Sequence, residues 1–383
     1  MRTIAGLDVH KYKKQNKRIL KILKNKNKMH FFDSILKKVY IRKVYLSFSH
    51  QFLISQMAYK FKTYYKKEDL PPLEDVNFFH YASSFDLYKK MPGYRPFMIV
   101  AFDDEKPVAC MFALIKRLHR FLFGPLFKKC YVSQKPSFFS DDIPQEEIFH
   151  DLVEILLHEV RCKVFFTQFR NLDDPIFGYK AFRDHGFYSI KWISIKNSLQ
   201  RKRKIWDQLS SSRKNQINKA KRKGVIVEEL SSEEELPEVY HCIKKEKGHR
   251  IFRYFPSYQY LVNFYRYYIR QKKGKIFVTK YDQKIIGGII LGFEKNIVYC
   301  LYYWGKKKEY KKLYPSIYSI WWALQFAENE GFLYFDFMDA GRIHEKKGKP
   351  LFLLQFGGKQ RATRRWNRFT SSLINLIANW IYD

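Results

Sequence analysis

The chain has 383 residues, of which 46% are hydrophobic and 18% are aromatic, and its 72 Lys and Arg against 37 Asp and Glu give a net charge of +35. This length allows two domains with ordinary cores, and no run of roughly 18 apolar residues predicts a membrane-spanning helix. The charge indicates an anionic partner such as RNA, an anionic lipid surface, or a phosphorylated or nucleotide-linked substrate, although a solvated lysine-rich surface gives the same composition.

The cysteines and the amino-terminal segment bear on metal binding and location. The five cysteines are scattered without metal-ligand spacing, so we expect reduced core residues and no metal site. Residues 1–28 lack the apolar centre of a signal peptide. We therefore expect a cytoplasmic protein, with peripheral contact to the inner face of the membrane as a further possibility.

Residues 1–70 are interpreted as a basic, partly disordered or helical extension, because they hold 18 Lys and Arg against four acids. Apolar residues alternate with Lys and Arg from Phe31 to Tyr65, which predicts a pair of basic amphipathic helices. These helices would lie either on an anionic membrane or against the first domain. Residues 5–11 resemble the first strand of insertion-element transposases with a ribonuclease-H-like fold, which makes 1–28 a candidate fused fragment before an older start at Met29.

An internal repeat organises the rest of the chain. A hairpin pattern at 98–115 aligns without a gap with one at 276–293, so that Asp104 falls on Asp282. A predicted helix and strand follow each hairpin in the same order. The repeat predicts an α/β (α+β) fold in which one unit is used twice, with a first domain at 71–198 and a second domain, carrying the main site, at 199–383.

A strongly basic helix is predicted between the two copies. Residues 201–223 contain ten Lys and Arg and one acid, and Ser211 or Ser212 is the expected cap, with Gly224 at the end. Only Ile217 and Ala220 give this helix an apolar side. Most of its cations, including Arg213 and Lys214, are therefore expected to face solvent or an anionic substrate.

The segment from Ile297 to Gly341 is the predicted centre of the second domain. A strand ending at Gly305, a basic loop, a helix beginning at Pro315 and a second strand follow one another. The helix start combines free backbone N–H groups with Lys311, Lys312 and Ser316, which predicts a phosphate site for a cofactor. A plain solvated loop has the same pattern.

Motifs in the second half resemble those of the Fem family of peptidoglycan-bridge transferases and their acetyltransferase-like relatives. The matching residues are Arg213, Ile217, Ala220, Gly224 and Val225; Tyr302–Gly305; Pro315; Ala327 and Gly331; Tyr334–Phe337; Asp339–Gly341; and Gln355–Gly358. The resemblance spans about 71–383 and implies a tandem pair of GNAT-like acyltransferase domains. It also implies transfer of an acyl group, from acyl-CoA or aminoacyl-tRNA, to an amine or hydroxyl of an envelope precursor.

The chain departs from that family at one informative position. Members that use aminoacyl-tRNA usually carry Phe-Lys before the Phe-Gly-Gly run, whereas this chain has Phe352 and Leu353. The long coiled-coil insertion of some members is also missing. The absence of this lysine therefore favours acyl-CoA over aminoacyl-tRNA as the donor.

Candidate site residues follow from the chemistry of direct acyl transfer, which needs a base, a proton donor and donors for an oxyanion. Asp339 and Asp336 are the main candidate acids and bases, with His344 and Glu345 beyond them, and one of Tyr302 and Tyr303 should enter the groove as a proton donor; we choose Tyr303. The predicted substrate-binding residues are Arg213, Lys214, Gly341, Arg342, Gln355, Phe356, Gly357 and Gly358. Asp336 paired with a basic neighbour, and a tight turn at the two glycines, are the structural alternatives.

Three functions remain open from the sequence. The first is acyl-CoA-dependent transfer to an amine or hydroxyl of an anionic, nucleotide-linked or lipid-linked envelope glycan or peptidoglycan precursor. The second is aminoacyl-tRNA-dependent transfer to a peptidoglycan precursor, with tRNA as a partner. The third is a catalytically silent module that binds RNA or an anionic membrane. DNA is not an expected partner, and no permanently bound cofactor is expected.

Overall fold

A computed structural model describes residues 59–74, 76–117, 128–200, 203–247, 256–343 and 348–382. The strands are β1 (Lys60–Tyr64), β2 (Tyr94–Asp103), β3 (Lys106–Arg117), β4 (Lys128–Ser133), β5 (Ser137–Phe138), β6 (Phe166–Arg170), β7 (Tyr188–Ser198), β8 (Ile226–Glu229), β9 (Gly274–Tyr281), β10 (Lys284–Glu294), β11 (Ile297–Gly305), β12 (Tyr334–Arg342) and β13 (Lys359–Phe369).

The helices of the described residues are α1 (Ser83–Leu87), α2 (Gln145–Glu159), α3 (Tyr179–Asp184), α4 (Ile205–Gln208), α5 (Ser211–Arg222), α6 (Leu236–Lys247), α7 (Tyr258–Phe264), α8 (Pro315–Asn329), α9 (Lys349–Leu354) and α10 (Ser372–Tyr382). A π-helical turn, Tyr265–Ile269, extends α7. Within the described ranges, no helix is long and apolar enough to cross a membrane.

One sheet contains all of these strands, in the order β1-β2-β3-β4-β6-β13-β7-β12-β11-β10-β9-β8, and β5 pairs with β3 at its side. The order reads as two similar halves that meet between β13 and β7. In each half a hairpin (β2–β3 or β9–β10) leads to a strand, a helix and a parallel strand. The expected repeat is therefore present in the architecture.

The hairpin turns show the repeat at the level of single residues. Asp104 has φ of 52° and Asp282 has φ of 50°, a left-handed conformation that Asp tolerates in tight turns. Val100 and Val278, aligned by the same register, are both fully buried. The alignment predicted from sequence is confirmed at these positions.

The last strand of each half lies beside the other half. β7 ends the first half in sequence but pairs with β12, while β13 ends the second half and pairs with β6. β7 and β13 also pair with each other along their length. The proposed border at residue 198 stays a prediction, but each half of the sheet needs a strand from the other to be complete.

The first half of the sheet begins earlier than expected. Lys60–Tyr64 forms β1, which pairs antiparallel with β2 as β8 pairs with β9. The helix prediction for 31–65 is therefore wrong in its described part, because half-buried Phe61 and Thr63 alternate with exposed Lys60 and Lys62 as in a strand. Residues 1–58, with the remaining expectations for the extension, lie outside the described residues.

Helices cover both faces of the second half. α8 packs on β9–β11, with Phe335 and Phe337 of β12 in the same core. Tyr299 of β11 belongs to the core on the opposite face, under α6 and α7. Because side chains alternate along a strand, Asp336 points to the same face as Tyr299. We call this the groove face.

Candidate functional site

The two parallel strands of the second half separate after three residues. β11 and β12 pair from Ile297–Tyr334 to Tyr299–Asp336, and no further pairs join them although β11 continues to Gly305. β12 is irregular beyond this point, where Met338 has φ of 54°. The Met338 backbone N–H donates to Asp336 Oδ1 at 2.6 Å and so fixes the carboxylate at the point of separation.

Asp336 is a buried acid with an unusual pKa. It is 3% exposed, and burial, reinforced by the negative charge of Asp173, raises its pKa to about 6. Lys196 of β7 lies with Nζ 3.9 Å from Asp336 Oδ2 and opposes this shift. A carboxyl group with this pKa is mostly ionised at neutral pH and is suited to accept a proton from an acceptor amine or hydroxyl.

Both halves of the chain line a small cavity beside Asp336. Its walls are Gln134, Asn171, Leu172, Asp173, Ser194, Tyr299, Asp336, Met338, Asp339 and Thr363. Gln134 Nε2 donates to the Tyr299 hydroxyl at 3.0 Å, and that hydroxyl donates to Glu294 Oε2 at 3.2 Å. Burial raises the pKa of both Tyr299 and Glu294, so the tyrosine is held as a neutral phenol.

Asp339 has a different environment from Asp336. Its carboxylate accepts a 2.6 Å hydrogen bond from Arg365 and lies 3.9 Å from Arg170, while its backbone oxygen accepts from Lys349 Nζ at 2.6 Å. Asp339 is therefore held in ion pairs, whereas burial raises the pKa of Asp336. Of the two predicted acids, the geometry favours Asp336 as the base and Asp339 as a support for nearby cations.

A row of half-buried cations continues from Asp339 along the groove face of the first half. Lys129 Nζ lies 4.0 Å from the Tyr131 ring centre, and the Arg170 guanidinium lies 4.7 Å from the same ring. Lys116 lies opposite Lys129 in the β3–β4 ladder. Burial and neighbouring cations lower the pKa of Lys129 to about 7, and burial lowers that of Lys116 to about 8. A bound anion would relieve this repulsion.

Tyr302 and Tyr303 point to opposite faces, as predicted. Tyr302 packs in the core on the groove face, and Tyr303 packs against the core beneath α8. The Tyr303 ring stacks on Phe352 of α9 with centres 6.0 Å apart. Lys307 Nζ lies 5.1 Å from the Phe352 ring centre. Tyr303 is half-buried at this junction.

The basic helix α5 differs from expectation at Arg213. Its buried residues are Arg213, Ile217 and Ala220, which share one side at helical spacing. The Arg213 guanidinium lies 4.4 Å from the Phe352 ring centre and donates to the Phe352 backbone oxygen at 3.2 Å, so this cation is part of the core. Burial lowers its pKa to about 10.

Other parts of α5 match the prediction more closely. Lys221 and Arg222 are exposed, and half-buried Lys214 lies with Nζ 3.5 Å from the Asp207 backbone oxygen. The cap is Ser210 rather than Ser211 or Ser212, because its Oγ accepts from the Arg213 backbone N–H. Gly224 ends the helix with φ of 77°, as expected.

The start of α8 keeps two of its three predicted anion ligands at the surface. Lys311 and Lys312 are exposed, and the first turn of α8 carries no acid. Ser316 is only 1% exposed, and its Oγ has no hydrogen-bond partner among the described residues. A side chain at Gly305 would place a carbon 2.5 Å from Ser316 Oγ, so Gly305 is required for the close approach of β11 to this helix start.

The Gln355–Gly358 segment forms a tightly packed turn. Gly357 has φ of 86°, and a side chain there would lie 2.7 Å from Gln208 Cβ. Phe356 is fully buried, and its backbone oxygen accepts from Asn197 Nδ2 at 2.8 Å. These contacts explain the two glycines by packing within the chain, as in the structural alternative.

The remaining predicted residues are distributed as follows. Gly341 is buried, and Arg342 is exposed at the end of β12. His344 and Glu345 lie outside the described residues. One group in the described ranges, His150, Glu154 and His185, has potential metal-ligand atoms within 4.8 Å of one another, but it lies around α2 and α3, away from the residues that line the cavity.

Sequence reasoning missed several groups that the fold brings to Asp336. Lys196, Tyr299, Gln134 and Asp173 come from four separate segments. Tyr299 reads as a core residue of a strand, and Lys196 as an exposed residue of another. The alternation of Asp336 with Phe335 and Phe337 indicated that its side chain points inward, but no local pattern indicated which residues lie beside it.

Comparison with known proteins identifies the fold of this arrangement. Residues 210–346 match the family described as acetyltransferase (GNAT) domain. A crystal structure of FemX is similar over 79% of this chain and 94% of its own, with a TM-score of 0.58 and 13% identity. No curated protein matches the chain.

Two further solved structures share this fold. The L-PGS structure from Bacillus licheniformis matches over 80% of this chain and 92% of its own, with a TM-score of 0.50 and 13% identity. A C-terminal domain described as that of a lysylphosphatidylglycerol synthetase from Agrobacterium fabrum matches over 77% and 89%, with a TM-score of 0.51 and 13% identity. The Fem-like, GNAT-type fold expected from the sequence is confirmed.

Proposed function

We propose that this chain is an acyltransferase that moves an acyl group from acyl-CoA to an amine or hydroxyl of an anionic cell-envelope glycan or peptidoglycan precursor. The observation that carries this proposal is Asp336, a buried carboxyl with its pKa raised to about 6 at the point where two parallel strands separate. A base is needed because the acceptor must lose a proton as it attacks the acyl carbon.

The separation of β11 and β12 supports binding of an extended donor. Backbone N–H and C=O groups beyond Tyr299 and Asp336 have no partners across this gap, and ligands of open sheets gather beyond the carboxyl ends of parallel strands. The start of α8 follows β11 directly and has Lys311 and Lys312 exposed beside it. We assign these lysines and the helix N–H groups to the pyrophosphate of CoA.

The proposed reaction is a direct transfer. The acceptor nitrogen or oxygen attacks the thioester carbonyl carbon, the C–S bond breaks, and the products are an amide or ester and free CoA thiol. Asp336 takes the proton from the attacking group. Tyr303 stays our candidate for the group that protonates the leaving thiolate. It is half-buried on the α8 side of β11, opposite the groove face of Asp336, so the thioester must lie in the gap between β11 and β12 for both groups to reach it.

The acceptor's negative charge is proposed from the row of cations on the groove face. Lys116, Lys129 and Arg170 lie together there, with Asp339 as a nearby counter-charge already paired with Arg365. An anionic acceptor bound along this row would direct its reactive group toward the Asp336 cavity, which Asp339 also lines.

A second candidate is aminoacyl transfer from tRNA, and one contact favours it. Leu353 occupies the position where tRNA-using Fem members usually carry Lys. It is fully buried in the core and supplies no positive charge there. Lys349, however, lies one helical turn earlier and reaches the Asp339 backbone oxygen at 2.6 Å. This lysine would have to stabilise the ribose oxygen of the leaving tRNA.

The donor is tested by thermal unfolding and by turnover. Acetyl-CoA at one hundred times its Kd should stabilise the wild type by about 2.7 kcal/mol. Lys312→Ala should remove most of this effect, whereas Lys284→Ala, at an exposed hairpin turn, should retain it. Amino-acid transfer from charged tRNA that is lost in Lys349→Ala would replace the proposal with the second candidate. Binding of RNA or vesicles without turnover of either donor would indicate a silent module.

A further inference from the structure

The carboxy-terminal helix α10 exposes its apolar side. Its eleven residues carry no charge, and Ala378 is its only buried residue. Six large apolar side chains are exposed by 39% to 76%: Leu373, Ile374, Ile377, Trp380, Ile381 and Tyr382. A helix on a protein surface normally shows the opposite pattern, with apolar residues toward the core.

Hydrogen bonds fix α10 in this orientation. Asn375 Nδ2 donates to the Gly186 backbone oxygen at 2.8 Å, and Asn375 Oδ1 accepts from the Phe369 backbone N–H at 2.9 Å. Asn379 Nδ2 also donates to the Gly186 oxygen, at 3.3 Å. The polar residues of the helix therefore bind the protein. Turning the apolar side inward would break these bonds.

The two strands on which α10 packs are basic in sequence. The helix packs on β7 and β13, which together contain seven Lys and Arg and no acid. Lys196 and Arg365 are paired with Asp336 and Asp339, and the other five are exposed or half-buried: Lys191, Lys359, Arg361, Arg364 and Arg368. A contiguous apolar patch of this kind marks an interaction site, and its partner must tolerate cations at the border of the patch.

We propose that α10 lies in the interface of an anionic membrane, with its apolar side among the acyl chains and the five unburied cations of β7 and β13 near the lipid phosphates. An anionic bilayer offers an apolar layer bordered by negative charge, which matches both features of this surface. Trp380 and Tyr382 are residue types enriched at such interfaces. Eleven residues span about 16 Å as a helix, too short for crossing but suited to lying in the membrane plane.

This inference goes beyond the proposed function and does not depend on it. Docking through α10 would bring β13 close to a membrane, and Arg365 of this strand bonds to Asp339 at the candidate site. An acceptor attached to a lipid could then be presented from the bilayer. The docking itself is expected with or without an acyl donor.

Vesicle sedimentation with the full chain tests the inference. We expect binding to phosphatidylcholine vesicles containing phosphatidylglycerol, weaker binding to pure phosphatidylcholine, and a loss in high salt. The double variant Trp380→Ser, Ile381→Ser should lower binding by at least about ten-fold. Ile176→Ser, which changes an exposed isoleucine outside α10, serves as the matched control and should bind like the wild type.

Three results would overturn the inference. They are no sedimentation of the wild type with anionic vesicles, equal binding by the double variant, and a wild-type oligomer that the double variant converts to a monomer. The last result would mean that a second copy covers α10. The melting temperature of both variants should match that of the wild type, because the changed side chains are exposed.

Discussion

The two halves of the sheet place different chemistry at matching positions. In the first half, Tyr131 of β4 lies opposite Gln168 of β6, and Gln168 Nε2 donates to Asn367 of β13 at 2.8 Å. In the second half, Tyr299 of β11 lies opposite Asp336 of β12, which faces Lys196 of β7. A neutral amide pair in one half thus corresponds to a buried ionisable pair in the other.

The parallel strands and the helices that join them also differ. β4 and β6 pair over five residues, from Lys129–Phe166 to Ser133–Arg170, whereas β11 and β12 pair over three. The first turn of α2 contains Glu146 and Glu147, whereas Lys311 and Lys312 precede α8. Acids at a helix start oppose anion binding there, and lysines favour it.

This comparison indicates that the copies of the repeat have separate roles. The second half has a separated strand pair, a helix start without acids and a buried carboxyl group with a raised pKa. The first half keeps its strand pair closed and supplies cavity walls, such as Gln134 and Asp173, together with the cation row. The exchange of β7 and β13 gives each half a direct contact with the other's central strands.

The largest expected difference in kcat is between a variant of Asp336 and a variant of Gln168. Asp336→Asn should lower kcat by about 10²–10⁴-fold, because it removes the proton acceptor. Gln168→Ala, at the matching position of the first half, should leave kcat within a few-fold of the wild type. Release of free CoA thiol measures both rates. A comparable loss in the two variants would contradict the assignment of separate roles.

A second variant probes the core beneath the reactive strands. Arg213→Met removes a buried guanidinium that contacts two phenylalanine rings and bonds to Gln216 and the Phe352 backbone oxygen. We expect a loss of about 2–4 kcal/mol in the free energy of unfolding. Urea unfolding measures this change. Unchanged stability with weaker substrate binding would restore Arg213 to the substrate surface predicted from sequence.

The pH dependence of transfer tests the role of the ionisable pair Asp336 and Lys196, which corresponds to the amide pair of the first half. Asp336 acts as a base only when ionised, so kcat/KM should rise with pH through about 6. Lys196 favours the ionised form, so Lys196→Met should move this limb to higher pH. A limb that keeps its position in Lys196→Met would show that another group controls the rate.

The smallest stability effect is expected on the exposed side of α5. Lys221→Glu with Arg222→Glu should change the free energy of unfolding by less than about 0.5 kcal/mol, because both side chains are exposed. If this surface also binds the anionic partner, the salt dependence of binding should become shallower. A large fall in stability would show that these side chains have structural contacts like those of Arg213.

Local structure and the internal repeat could be predicted from the sequence more completely than the candidate site could. Alternation and turn residues determine the hairpins, so Asp104 and Asp282 aligned correctly. The exchange of β7 and β13 depends on pairing between distant segments, which no local pattern reveals. Lys196 therefore could not be connected with Asp336. Arg213 was expected at the surface because composition counts it as a cation, whereas it shares the buried side of α5 with Ile217 and Ala220.

Hydrogen–deuterium exchange with and without acetyl-CoA tests most directly whether the donor binds the second half. The account predicts slower exchange in the segment from Cys300 to Ile317, which contains the end of β11 and the start of α8. It predicts no change in the matching segment from Val132 to Ile148 of the first half. Protection of the first-half segment, or no protection of either segment at saturating acetyl-CoA, would contradict the assignment of the donor site.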